Sequence, residues 1–426
     1  MTASSSDLSV PYAAPDDVDL TDQSQFAVGF PHEVFTRLRR EAPLFRHGPG
    51  STKDGEGFWV ITRYADLVEA SEDPVFSSQG GGGRAGGGTH VDDLETGVHA
   101  GVLINMIDDP RHQLFRDIVS PPVARNAVLS RIPALRADAG ALLDAVLAGG
   151  GDCDFLRDIC GPYAVHTVAA VLGAPEEDWP QLFQWAQANA GFDDRQSGTV
   201  TQSAGQIAYA IYEYSKTVLA RKRTAPADDL MSALVAGDLP AGSGEPPLTE
   251  FEREAFFCLL LLAGSEPPRN TMAAGILALA EHPDQWRALQ ADRSLLPTAV
   301  EEILRWASPT PYNRRTATRD VTFRGAPIAA GDKVTFWWAS GNRDDAVFRD
   351  PDVFDIRRDP NPHLAFGHGT HDCLGEHLGR IEIAQLLTEL LDRVEEIELT
   401  GPVTWAPSNK HTVTLTLPVH LTARQH

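Results

Sequence analysis

Cysteine is scarce in this chain: Cys153, Cys160, Cys258 and Cys373 are the only four in 426 residues. So few over such a length exclude a disulfide scaffold and point to a reducing compartment. Positive charge is also short. Against 59 Asp and Glu stand 36 Lys and Arg, a formal net charge of −23, which argues against nucleic acid and anionic membranes as partners. No apolar run is long enough to span a bilayer; the longest, 255–264, ends in Ser265-Glu266-Pro267-Pro268. Residues 1–25 are polar and lack a basic-then-apolar order, so no signal peptide is read there. A flexible N-terminal segment and a cytoplasmic location are expected. Strand signals are few, at 321–323, 333–336 and the alternating 412–417.

What is present is helical spacing. Residues 32–41 read as an amphipathic helix, 57–62 as a short strand and 65–72 as helix again. Further helical stretches fall at 131–149, 176–190, 203–222, 228–236, 249–280, 282–291 and 295–306. With 42% hydrophobic residues the chain can bury a large core. A mainly α fold with a minor β portion, in one large domain over 26–426, is expected; no repeat or composition break divides it. The low-complexity run 80–88 contains a literal Gly-x-Gly-x-x-Gly (Gly81, Gly83, Gly86). No strand feeds it and no helix follows, so it reads as a flexible loop and not as a dinucleotide site.

One stretch concentrates chemistry: Phe366-Gly367-His368-Gly369-Thr370-His371-Asp372-Cys373-Leu374-Gly375, just before a helical-looking run at 376–384. A cysteine in a glycine-rich turn ahead of a helix N-terminus can present a thiolate to a metal, because the helix end favours the ionised sulfur. The glycines permit unusual dihedrals and close approach of a flat group. Two other readings stand beside this one. His363, His368, His371, Cys373 and His377 could bind zinc, although no Cys-x-x-Cys pair is present. The cysteine could also be a small buried hydrophobe.

This stretch resembles the haem-binding loop of the cytochrome P450 family, Phe-Gly-x-Gly-x-His-x-Cys-x-Gly, with every fixed position filled. The resemblance implies a prism-shaped, mainly α haem-thiolate monooxygenase of the soluble bacterial type, with haem b as cofactor and Cys373 as iron ligand. Phe366, Gly367 and Gly375 would frame the haem on the cysteine side, and Ala263 and Gly264 would lie over it on the other. Glu302-x-x-Arg305, taken alone an ordinary i, i+3 ion pair, would be the family's structural brace. His112, Arg116, Arg315 and His371 match its propionate positions, with Arg314 the adjacent rival to Arg315. Asn342-Arg343-Asp344 is a further family-like, structural motif.

The segment Ala263-Gly264-Ser265-Glu266-Pro267-Pro268-Arg269-Asn270-Thr271 departs from the family. Thr249 and Glu252 form a capping box at the start of the helix it interrupts. The family shows Ala-Gly-x-Asp/Glu-Thr-Thr here, with acid and alcohol passing protons. Glu266 keeps the acid, but Pro267 and Pro268 replace the threonines. Proline lacks an N–H, so the helix is expected to kink or open. It also cannot relay a proton. Glu266 could act through water, Ser265 or Thr271 could substitute, or the substrate could supply a hydroxyl. Peroxide-driven chemistry or an oxidative rearrangement is the alternative to ordinary oxygenation, and a non-enzymatic haem carrier or sensor is a third class.

The resemblance further implies electrons from a separate partner, a [2Fe–2S] or similar ferredoxin with an NAD(P)H-dependent reductase. It would dock on the cysteine side, where Arg116, Arg380 and His368 would add positive charge. The substrate would be a small apolar molecule, terpenoid, steroid or polyketide-like. Its walls would be the 79–105 loop, part of 180–200, Ala263 to Pro267, Ser308 to Asn313 and the turn around Ser408, with Phe192, Leu260 and Tyr312 as candidate contacts.

Overall fold

Four helices bury their apolar faces together and set the frame for everything else: Ile132–Ala148, Glu266–Glu281, Leu296–Ala307 and Glu376–Arg393. They are seen in a computed structural model, which describes residues 12, 14–15, 17–189 and 202–425. A second core lies around Glu250–Ala263, Gly161–Leu172 and Leu230–Ala236, drawing in Phe115, Phe256 and Phe257. Helices predominate and the strands are short, as the spacing predicts. Most helices begin and end within two residues of the expected positions. Among the described residues no helix is long and apolar enough to cross a membrane.

The structure adds elements that periodicity does not reveal. Gly161–Leu172 is buried along most of its length, so it has no polar face to make a pattern. It follows a single π turn at Leu156–Cys160. Strands Leu44–His47, Phe58–Ile61, Lys333–Phe336, Asn313–Ala317 and Phe76–Ser77 form a five-stranded sheet in that order. Asn313–Ala317 carries two arginines, which hide its strand character, yet it runs antiparallel to Lys333–Phe336 with Arg315 opposite Val334. A three-stranded sheet joins Asp152–Asp154, Pro418–Ala423 and Val394–Leu399.

Two expectations need correction. The polar N-terminal segment is not loose over its described part. Val18 and Leu20 are buried with Phe26, and the Leu20 N–H donates to His47 Nε2 at 2.9 Å. The glycine-rich loop is likewise packed. A Cβ on Gly82 would lie 2.1 Å from the Gly331 backbone nitrogen, so only glycine lets these two turns meet. Phe192 lies outside the described residues.

The Glu302–Arg305 pair is buried completely. Arg305 Nε and Nη2 donate to the two Glu302 oxygens at 2.8 and 2.7 Å. Arg305 Nη1 also donates to the carbonyls of Asn342 and Pro351 at 2.9 and 2.8 Å. Glu302 in turn accepts from Asp355 N, Arg358 Nε and Asn361 Nδ2. Asn342 completes the brace: its Oδ1 accepts from Leu364 N and its Nδ2 donates to Ser308 Oγ. The segment that leads into the cysteine turn is thereby tied to helix Leu296–Ala307. Breaking a buried pair strands a charge, so Arg305→Leu should destabilise the fold by about 3 kcal/mol, read from the urea midpoint of unfolding.

Candidate active site

The cysteine turn is held from three sides. The Cys373 N–H donates to Phe366 O at 2.9 Å, closing the turn. Gly369 has φ +81° and a Cβ there would lie 2.7 Å from Ser71 O, so the residue must be glycine. Gly367 also takes a positive φ of 75°. Helix Glu376–Arg393 begins directly after Gly375. The Arg380 guanidinium covers the Phe366 ring at 4.6 Å and pairs with Glu301 and Glu376, both at 2.8 Å.

Cys373 is a free and exposed thiol, yet protein surrounds it closely enough that burial pushes its pKa up, opposed by the Gly375 N–H. A sulfur that is both reachable and enclosed faces an interior hollow. Ala263, at the end of helix Glu250–Ala263, is exposed as well.

Three separated segments bring cations to this region. Helix Arg111–Val119 supplies His112 and Arg116 one turn apart. Arg116 Nη1 donates to Asp372 O at 2.7 Å and its Nη2 meets the Asp372 carboxylate. The His112 and His371 rings stand 4.0 Å apart. Arg314 and Arg315 are neighbours on a strand, so their side chains leave on opposite faces. Arg314 Nη1 pairs with Asp93 at 2.8 Å. Arg315 is buried and its only hydrogen bond among the described residues goes to Arg314 O, at 3.0 Å. Burial pushes its pKa down to about 10, against the attraction of Asp108. His371 is pushed down to about 2 by burial and by Arg315, His112 and Arg116. Its Nδ1 is buried with no hydrogen-bond partner among the described residues. Strand register thus separates two arginines that the sequence leaves as rivals.

On the distal side the capping box is present: Thr249 Oγ1 accepts from Glu252 N at 3.2 Å and Glu252 Oε2 accepts from Thr249 N at 2.8 Å. The expected kink is a full break. One helix ends at Ala263, Gly264 and Ser265 turn, and Glu266–Glu281 starts anew with both prolines in its first turn, where a missing N–H is tolerated. The space for a side chain at Gly264 is taken by Val168, whose Cγ2 would lie 2.4 Å from its Cβ, giving that glycine a packing reason. The two neighbouring hydroxyls are committed to their own helices. Ser265 Oγ donates to Leu262 O at 3.2 Å and Thr271 Oγ1 to Pro267 O at 2.8 Å. Glu266 is buried, its Oε1 4.0 Å from His411 Nδ1, a group that sequence spacing gave no reason to connect with it. A void of about 10 Å³, room for one water, is lined by Ser265, Glu266 and Arg269.

The positive charge expected on the cysteine face is instead neutralised. Arg116 meets Asp372, Arg380 meets Glu301 and Glu376, and His368 Nε2 lies 2.8 Å from Glu72. Zinc finds no support, since the described residues contain no cluster of three or more His, Cys, Asp or Glu able to hold a metal.

A lone thiol facing a hollow, with a buried arginine and imidazole nearby that lack an anion, defines a protein built to hold a metal-bearing anionic macrocycle. The family model for cytochrome P450 matches residues 163–419. The chain is 44% identical, over 93% of its length and 95% of the relative's, to a Mycobacterium tuberculosis protein carried under the name cytochrome P450 126. It is 37% identical, over 86% of its length and 85% of the relative's, to a methyl-branched lipid omega-hydroxylase of the same organism. Among solved structures, a Mycobacterium marinum cytochrome P450 in complex with pseudoionone matches with TM-score 0.84 and 30% identity, over 97% of this chain and all of that one.

The chain belongs to the cytochrome P450 family. It is a haem-dependent oxidoreductase of the monooxygenase type, with haem b as cofactor. The residues fit that group: Cys373 is a soft ligand in an enclosed space, and Arg315 and the orphaned His371 Nδ1 are donors suited to a carboxylate. Arg315→Ala should therefore speed haem transfer to apomyoglobin by about tenfold or more, the worth of a charged hydrogen bond. Arg314→Ala should leave that rate within about twofold, because its charge is spent on Asp93.

Proposed function

We propose that this enzyme inserts one oxygen atom from dioxygen into a small, mostly apolar molecule of terpenoid, steroid or polyketide-like character. Electrons would come from a separate ferredoxin, [2Fe–2S] or similar, and its NAD(P)H-dependent reductase, in the cytoplasm. The observation that carries the reading is the enclosed yet reachable thiol of Cys373 at a helix N-terminus. The named relatives, one acting on methyl-branched lipids and one crystallised with pseudoionone, support an apolar substrate.

When bound, the haem supplies dioxygen activation and the oxidising power, with electron density pushed in from the sulfur ligand. The protein's own parts are then assigned as follows. Cys373 is the iron ligand, and the Phe366–Gly375 turn, with Gly367, fixes its position. His112, Arg116, Arg315 and His371 hold the propionates; Arg116 does so while also clamping the cysteine turn through Asp372. Ala263 and Gly264 form the floor opposite the cysteine, where exposed Ala263 leaves room for a flat group. Glu266 is the buried acid that holds a proton beside a water-sized void. Pro267 takes no part in proton transfer, and Ser265 is held by Leu262 O.

One observation favours a second reading, in which peroxide is the oxidant or the product is cyclised or rearranged. With Pro267 unable to donate and Ser265 and Thr271 both bonded within their helices, no free alcohol stands beside Glu266 among the nearby hydroxyls. Comparing the two drives separates these. Under the lead reading, ferredoxin-driven turnover exceeds peroxide-driven turnover, and Glu266→Gln lowers the former by at least about tenfold while releasing more hydrogen peroxide. Peroxide-driven product forming faster than ferredoxin-driven product would favour the second.

The assignment of Cys373 is tested by the difference spectrum of the reduced protein with carbon monoxide. A strongly red-shifted Soret band is expected in the wild type and its loss in Cys373→Ala. A variant that kept both the band and activity would sink the assignment.

A further inference from the structure

Three of the expected wall segments converge on a hollow of about 620 Å³, to which residues from 19–24, 51–53 and 90–92, Tyr312, Asn409 and Lys410 contribute. Most of its lining is unremarkable for a partly open cleft, but Lys410 is not. The residue is only 8% exposed. Its Nζ donates to Thr89 O and to Tyr312 O, both at 2.9 Å, and stands 4.6 Å from the centre of the Tyr312 ring. The turn that carries it is fixed: Asn409 Nδ2 donates to Leu20 O at 2.9 Å and the His411 N–H to Ser408 Oγ at 3.1 Å. Among the described residues Lys410 has no carboxylate within 4.0 Å, so one of its three N–H donors is uncommitted. Burial and the charge of Arg315 push its pKa down to about 7.

A buried ammonium with a spare donor is costly unless an acceptor comes to it. Two acceptors are conceivable, a haem propionate or an oxygen of the substrate, and the lining distinguishes them. Lys410 faces the hollow, whereas Arg315 and His371 do not line it. Asp19, Asp22 and Asp92 also line that hollow, which disfavours an anionic ligand and favours a neutral oxygen.

We propose that Lys410 is a substrate-recognition residue, whose free N–H binds a carbonyl or hydroxyl oxygen on an otherwise apolar substrate and so fixes which end of it points inward. The inference rests on the proposed function and deepens it, by requiring that the substrate already carries a neutral oxygen at a distance from the bond that reacts. An earlier oxygenation or a ketone-forming step must then precede this reaction.

The test uses purified holoenzyme, wild type, Lys410→Met and Lys410→Arg. Spin-state titrations compare pseudoionone with its parent hydrocarbon, and androst-4-en-3-one with androst-4-ene. In the wild type at least one oxygenated probe should bind about tenfold or more tighter than its hydrocarbon. Lys410→Met should remove that preference and Lys410→Arg should keep part of it, with haem transfer to apomyoglobin unchanged in both. Equal binding within both pairs, no binding by any probe, or a preference that survives Lys410→Met overturns the proposal. Haem loss accelerated in Lys410→Met to the extent seen for Arg315→Ala also overturns it, assigning the lysine to a propionate instead. The reduced carbon monoxide spectrum keeps the two levels apart. A wild-type protein without the red-shifted band contradicts the proposed function itself. A normal band without a lysine-dependent preference overturns only the role of Lys410.

Discussion

The constraint on which this structure turns is positive charge kept inside an acidic protein without protein anions to meet it. The chain carries a net charge of −23, and its surface arginines find carboxylates readily. Arg315, only 7% exposed, finds none within ion-pair distance among the described residues. A desolvated charge without a partner costs several kcal/mol. The fold tolerates this because binding of an anionic group returns the loss at the moment it enters. Haem, with its two propionates, is such a group. The apo protein is thus under electrostatic tension that the cofactor relieves, which couples cofactor binding to folding stability.

Holding that charge in place is the task of a neighbouring pair with the opposite character. Glu302 and Arg305 are buried to the same degree, but every oxygen and most of the guanidinium donors are used. Their net worth to stability is small compared with the cost of breaking them. What they contribute is position. Through Asn342, Asp355 and Asn361 they bind the 355–364 segment to helix Leu296–Ala307. The cysteine turn follows at once, and Glu301 adds a second tie to His363 and Arg380. A thiol can serve as the single ligand to a metal only if its turn does not wander, and this network removes that freedom.

Much of this was legible in the residues, and what was not has identifiable causes. The cysteine turn is readable because glycine at Gly369 is forced by a backbone approach, and forced glycines leave a fixed pattern. The Thr249–Glu252 cap is readable because both partners lie within one turn. Choosing between Arg314 and Arg315 needed the register of a strand whose two arginines disguise it. Helix Gly161–Leu172 was invisible because burial on most sides leaves no period to detect. Lys410 was missed for a different reason. A single lysine in a Pro-Ser-Asn-Lys-His turn looks solvated, and only tertiary packing against Thr89 and Tyr312 shows that it is not.

The distal break follows from the same balance of local and global terms. Two prolines in a helix interior would each remove a hydrogen bond and clash with the preceding turn, at about 3 kcal/mol or more apiece. Ending one helix at Ala263 and starting another at Glu266 moves both into a first turn, where that penalty vanishes. The rearrangement leaves Glu266 at a helix N-terminus, where the macrodipole favours its ionised form while burial opposes it. His411, whose Nδ1 is 4.0 Å from Oε1, faces it from the C-terminal turn that also carries Lys410. One short turn therefore places an imidazole by the distal acid and an ammonium at the hollow. The substitution that removes the family's alcohol has not emptied the distal side of polar groups; it has shifted them to a segment far away in sequence.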